Sequence, residues 1–174
     1  MRKYLKNILL SGYGILFMFI AVMFLTTWLY MSYTRAIDIQ YRYSGIKYHI
    51  GDLQSAEPIN IEIKGKFVKE LFGNYGEFDG TIKVGEKIFA DRPIGFNKYK
   101  MGSLVSSEGQ YGMIFIGGMF KKLTIEIDEP NKYGGYSWNW KNGWMISAPC
   151  SNRTEAIKIS NELIQKLNKG LVVR

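Results

Sequence analysis

The sequence predicts an α+β, mostly β protein: a single N-terminal transmembrane helix, then an antiparallel β-sheet or sandwich-like domain with one C-terminal helix. Three observations carry that expectation. From Ile8 to Met31 no side chain is charged. Beyond Arg35 the apolar pattern switches to period two, broken by glycine-rich turns. After Asn152 apolar residues return at helical spacing.

The run from Ile8 to Met31 is 24 residues long, and the nearest charges on either side are Lys6 and Arg35. As a helix it spans roughly 36 Å, against a hydrocarbon core of about 30 Å. In lipid an isolated run must satisfy its own backbone, so it has to be helical. A cleaved signal has only about 7–15 apolar residues followed by small ones. Here the far end reads Phe24-Leu25-Thr26-Thr27-Trp28-Leu29-Tyr30-Met31, with no small-x-small site. Trp28, Tyr30 and Tyr33 at one end and Tyr4 at the other suit interfacial belts. The expectation is an uncleaved single-pass signal-anchor that meets the lipid bilayer through Ile8–Met31. Gly12, Gly14 and Ser11 lack small-xxx-small spacing, so no helix dimer is implied.

Arg2, Lys3 and Lys6 favour a cytoplasmic N-terminus. Arg35, Arg42 and Lys47 weaken that asymmetry, but long domains translocate largely regardless of charge. Residues 1–34 are therefore read as tail and anchor in the cell membrane. Residues 35–174 are read as one extracytoplasmic domain of the cell envelope, a usual domain size.

The domain holds 20 of the 23 basic residues and all 15 acidic ones. That surplus suits an anionic membrane face or an anionic wall polymer. No Lys/Arg run exceeds two residues, so no nucleic-acid footprint is expected. The chain has one cysteine, Cys150, and one histidine, His49. A lone cysteine forms no internal disulfide, and one histidine without partners makes neither a metal site nor a catalytic triad. Both are read as structural, and no cofactor is expected.

Along the domain, Ile37, Ile39, Tyr41 and Tyr43 alternate with polar residues as a strand, and Gly51-Asp52 breaks the chain. Ile59–Lys64 is the clearest half-buried strand, ended by Gly65. Phe78–Val84 and Ile88-Phe89 flank Gly85-Glu86-Lys87 as a tight hairpin. Residues 91–110 are irregular: either they hide a short strand near Met101–Val105, or they form a functional loop. Tyr111–Ile116 and Leu123–Asp128, around Gly117-Gly118, suggest another hairpin. In its second strand Thr124, Glu126 and Asp128 are expected on the solvated face. A last hairpin is expected from Tyr136–Trp140 and Trp144–Ala148 around Lys141-Asn142-Gly143, setting Trp140 opposite Trp144. The C-terminal helix spans about 153–168. Asn152 and Glu155 form an approximate capping box, Ile157, Ser160, Leu163, Ile164 and Leu167 make the buried stripe, and Gly170 is the stop.

No phosphate-binding loop is present. Two carboxylate pairs, Glu126 with Asp128 and Glu77 with Asp79, are the residues a glycan-acting enzyme would use. Trp138, Trp140 and Trp144 are expected to serve the core beneath the helix rather than to stack on sugars. Phe96, Tyr99, Tyr111, Tyr133 and Tyr136 are the candidate binding surface, rimming a groove with the 91–110 segment. The expected function is non-catalytic: a membrane-anchored binding or assembly domain for another envelope protein, an anionic wall polymer or the membrane surface. The alternatives are an envelope glycan-acting enzyme and a membrane sensor or immunity-type protein. The layout resembles envelope proteins in architecture alone, which carries no function across.

Overall fold

The computed structural model describes residues 12–90, 92–106, 109–131, 134–165, 167 and 172–173. The chain divides after Arg35 into two units. The first contains helix α1 (Gly12–Tyr33), none of whose residues is buried. It is long and apolar enough to cross a membrane. Its two threonine hydroxyls are satisfied within the helix: Thr26 Oγ1 and Thr27 Oγ1 donate to the Met23 carbonyl at 3.0 and 2.8 Å. The helix runs two residues past Met31, and the expected start at Ile8 lies outside the described residues.

The second unit is built on β1 (Ile37–His49), β2 (Glu57–Lys69), β3 (Gly76–Val84), β4 (Lys87–Phe89), β5 (Ile94–Phe96), β6 (Met101–Ser106), β7 (Gly109–Gly117), β8 (Lys122–Ile127), β9 (Glu129–Pro130), β10 (Tyr136–Ser137) and β11 (Trp144–Ala148). Nine strands form one antiparallel sheet in the order β4-β3-β2-β1-β11-β8-β7-β6, with β5 paired to β3. The sheet curls until β6 comes beside β5, so it is nearly a closed barrel. At this seam a methyl on Gly102 would stand 2.8 Å from Ile94 Cγ2, so only glycine lets the ends approach. The expected hidden strand at Met101–Val105 is β6.

The inner face buries Ile39, Ile61, Ile63, Ile82, Leu104, Ile114, Ile125 and Ile146. At the end where β1 begins, Phe120 closes the interior. Its ring lies 4.9 Å from Phe78, 5.4 Å from Phe96 and 6.1 Å from Phe67. Tyr43 Oη donates to the Phe120 carbonyl at 3.0 Å. Burial, then the neighbouring Tyr41, pushes the Tyr43 phenol up to about 12, so it remains a donor. On the outer face of β1–β3 the cross-strand rows read Arg42–Glu62–Lys83, Gln40–Lys64–Thr81 and Asp38–Lys66–Asp79. No like charges stand directly opposite in these rows, which removes repulsion more than it adds strength.

Two expectations about strands are corrected. Gly65 does not end β2; it pairs with Gly80 in mid-sheet. A methyl on Gly65 would lie 2.4 Å from the Asp79 carbonyl oxygen and 2.8 Å from the Phe78 ring. The glycine is required by close approach within the curl, not by a break. The Tyr136–Trp140/Trp144–Ala148 hairpin also does not form. β11 fills the slot between β1 and β8, pairing Trp144 with both His49 and Ile127, so both its edges are taken. β10 pairs instead with β9.

Helix α2 (Arg153–Ile164) packs on the outside of the barrel against β1, β7, β8 and β11. The Asn152 side chain accepts from the Glu155 N–H at 3.0 Å, and Glu155 Oε2 accepts from the Ser151 N–H at 2.9 Å. Its buried residues are Ala156, Ser160, Leu163 and Ile164, while Leu167 is exposed. The expected stop at Gly170 lies outside the described residues. Beneath the helix Ser160 Oγ meets Tyr48 Oη at 2.7 Å, Ser147 Oγ at 2.7 Å and Thr124 Oγ1 at 2.9 Å. Four buried hydroxyls thereby satisfy one another and fix the helix's position on the sheet.

Candidate functional site

The barrel end opposite Phe120 is open. There a row of inward positions runs His49–Trp144–Ile127–Gly112 across four strands, and the next row inward begins Lys47–Ile146–Ile125–Ile114. Ile146, Ile125 and Ile114 of the inner row belong to the core. Lys47, Trp144 and Ile127, with residues from β4, β6 and β7 and with Asp128, Glu129 and Tyr136, wall a cavity of about 510 Å³. That lies within the usual size range of small-molecule sites. Gly112 is needed at this rim because any side chain would strike the Glu126 carbonyl; its φ of +156° accompanies a shift in pairing between Leu104 and Val105.

The walls combine rings, ammonium groups and an amide–carboxylate pair. Lys47 Nζ sits 4.4 Å over the Trp144 ring and 3.2 Å from Glu57 Oε2. Lys87 Nζ lies 5.3 Å over Tyr111, whose ring packs 5.0 Å from Phe89. Burial pushes the Tyr111 phenol up, so it stays protonated and able to donate. Gln110 Nε2 donates to Asp128 Oδ2 at 2.6 Å. Tyr136 is 52% exposed at the rim. His49 stands edge-on to Trp144 at 5.0 Å, and its buried Nδ1 has no partner among the described residues.

Of the five residues expected to rim a groove, Tyr111 and Tyr136 come together here. Phe96 is fully buried in the aromatic plug, because the 91–110 segment folds into β5 and β6 rather than forming a loop. Tyr99 lies between those strands at the opposite end of the barrel, and Tyr133 is outside the described residues. Sequence reasoning missed Lys47, Lys87 and Gln110 as wall residues. Gln110 had the signal of adjoining Tyr111 in the chain, whereas Lys47 and Lys87 had none. The three tryptophans are not one core patch. Trp138 is half-buried on the helix side, Trp144 lines the mouth, and Trp140 is 54% exposed.

Neither carboxylate pair lines the mouth together. Glu77 and Asp79 are exposed on the outer face of β3. Asp128 lines the mouth, but Glu126 is 9% exposed and sits between Met113 and Met145 on the neighbouring strands. The expected solvated face of β8 is thus covered. A second concavity, about 550 Å³, lies over Arg42, Asn60, Glu62 and Lys83 on the outer sheet face, where Arg42 and Glu62 are already paired at 2.7 Å. Cys150 is buried, which pushes its thiol up, and its Sγ donates to the Ser147 carbonyl at 3.0 Å. Among the described residues no three His, Cys, Asp or Glu side chains converge to hold a metal ion.

No family model matches this chain, and neither a curated protein nor a solved structure matches it.

Proposed function

We propose that this chain is a single-pass membrane protein whose anchor carries a non-catalytic binding domain on the outer side of the cell membrane. The observation that carries this reading is α1, a 22-residue helix without a charge or a buried residue. An apolar surface of that length in water would be a large exposed patch, and lipid removes it. A binding role draws support from the barrel itself. Its interior is filled, and its mouth presents rings and polar groups around a cavity. A non-catalytic role draws support from the position of Glu126, which is covered and is not among the residues lining the mouth, so it does not reach that cavity with Asp128. The partner class is a component of the envelope, either another envelope protein or a wall polymer.

Protease added to spheroplasts tests the orientation. Cleavage within residues 35–174, leaving a short membrane-bound N-terminal fragment, is the expected result. Full protection until the membrane is permeabilised would reverse it.

A further inference from the structure

We infer that the ligand of the barrel mouth is an uncharged saccharide; this rests on the proposed binding role of that mouth. The first reason is ring geometry. Trp144, Tyr111 and Tyr136 reach the cavity from three separate elements, β11, β7 and β10; Lys47 and Lys87 already lie over the Trp144 and Tyr111 rings, so the half-exposed Tyr136 presents the face for stacking. Aromatic faces are flat and apolar with a polar edge, a surface that stacks on the C–H face of a pyranose while hydroxyls remain at its rim.

The second reason is the polar complement. Gln110 and Asp128 are held together at 2.6 Å, which aligns an amide and a carboxylate side by side. Such a pair offers donors and acceptors to vicinal hydroxyls, and a site built to pair hydroxyls discriminates against ligands lacking them.

The third reason is charge. Lys47 and Lys87 at the mouth are matched by Asp128 and Glu129, and Lys47 is also paired with Glu57. The positive surplus of the whole chain is therefore not concentrated here. An acidic polymer finds no net field at the mouth to draw it in, whereas a neutral polyol needs none. The anionic wall polymer expected from composition is consequently not the ligand of this site.

The test uses the full chain in lipid nanodiscs, because sugar-headed detergents would compete. Calorimetric titration with neutral tetrasaccharides (β-1,4-glucose, β-1,4-N-acetylglucosamine and α-1,4-glucose) is compared with titration by tetragalacturonate. At least one neutral sugar is expected to bind, and to bind better than tetragalacturonate. Tyr136→Ala and Gln110→Ala are each expected to weaken it about tenfold, the scale of one stacking or hydrogen-bonding contact. Trp140→Ala, outside the cavity, is expected to leave it unchanged. Equal or stronger binding of tetragalacturonate, no binding by any neutral sugar, or insensitivity to both mouth variants would overturn the inference. A chain that enters nanodiscs yet binds no neutral sugar contradicts this inference alone; failure to enter nanodiscs contradicts the anchored reading.

Discussion

Phe120→Ala is expected to lose about 3–5 kcal/mol of stability, the range for deleting a fully buried aromatic ring. Phe120 is 0% exposed and touches three other phenylalanines, which come from β2, β3 and β5. Strands that are remote in sequence therefore meet through this one ring. The turn that delivers it is unusual: Gly118, Met119 and Phe120 have φ of +56°, +53° and +67°. Two non-glycine residues in the left-handed region cost on the order of 1–2 kcal/mol each, a cost tolerated when packing over-determines the backbone. In the alanine variant that cost remains while the ring contacts vanish. Phe120→Gly removes the ring and also the backbone cost, so it is expected to be no less stable than Phe120→Ala. Thermal unfolding followed by near-ultraviolet circular dichroism measures both. A loss below about 1 kcal/mol in the alanine variant would mean that the plug does not hold the barrel end.

Glu126 is expected to make the domain less stable as pH rises. Burial first, then the charge of Asp128, pushes its carboxyl from 4.5 up to about 7. The sign follows from proton counting. Between pH 4.5 and 7 the unfolded chain has released this proton and the folded one still holds it. Folding then takes up a proton, and stability falls with rising pH across that window before levelling above it. The ceiling on the effect is about 3–4 kcal/mol, at roughly 1.4 kcal/mol for each tenfold change in proton affinity. The Met113 and Met145 side chains on either side offer no strong hydrogen-bond donor to a carboxylate. Glu126→Gln removes the titration without changing the shape, so its stability should lose this pH dependence and exceed that of the parent chain at about pH 8. Parallel pH profiles for parent and variant would contradict the assignment.

Much of the fold was legible in the sequence, and the failures share a cause. The apolar helix, β1, β2, the β3–β4 and β7–β8 hairpins and the α2 cap follow from local pattern: charge-free length, period two, Gly85 at a turn, Asn152 before a helical stripe. Glu126 was misplaced because alternation reports two faces but not what covers each. On β8 the inward face meets the barrel core, while its other face shares the cluster under α2, so both are buried. Gly65 was misread because a glycine that admits a neighbouring backbone looks like one that breaks a strand. Trp144 was paired with the nearest segment in sequence, yet its partners are His49 and Ile127, which only the global strand order brings to it. The mouth was partly legible through Tyr111 and Tyr136. Lys47 and Lys87 were not, because nothing local marks a lysine as facing a barrel opening.

The central claim is that residues 8–31 hold this domain to a membrane, and alkaline carbonate extraction of membranes containing the full chain tests it most directly. The chain is predicted to stay in the membrane pellet with integral proteins. Ile20→Arg places a charge near the middle of the run at about 2.5–3.5 kcal/mol, and it is predicted to shift a measurable share to the soluble fraction. Recovery of the unaltered chain in the supernatant would contradict the account.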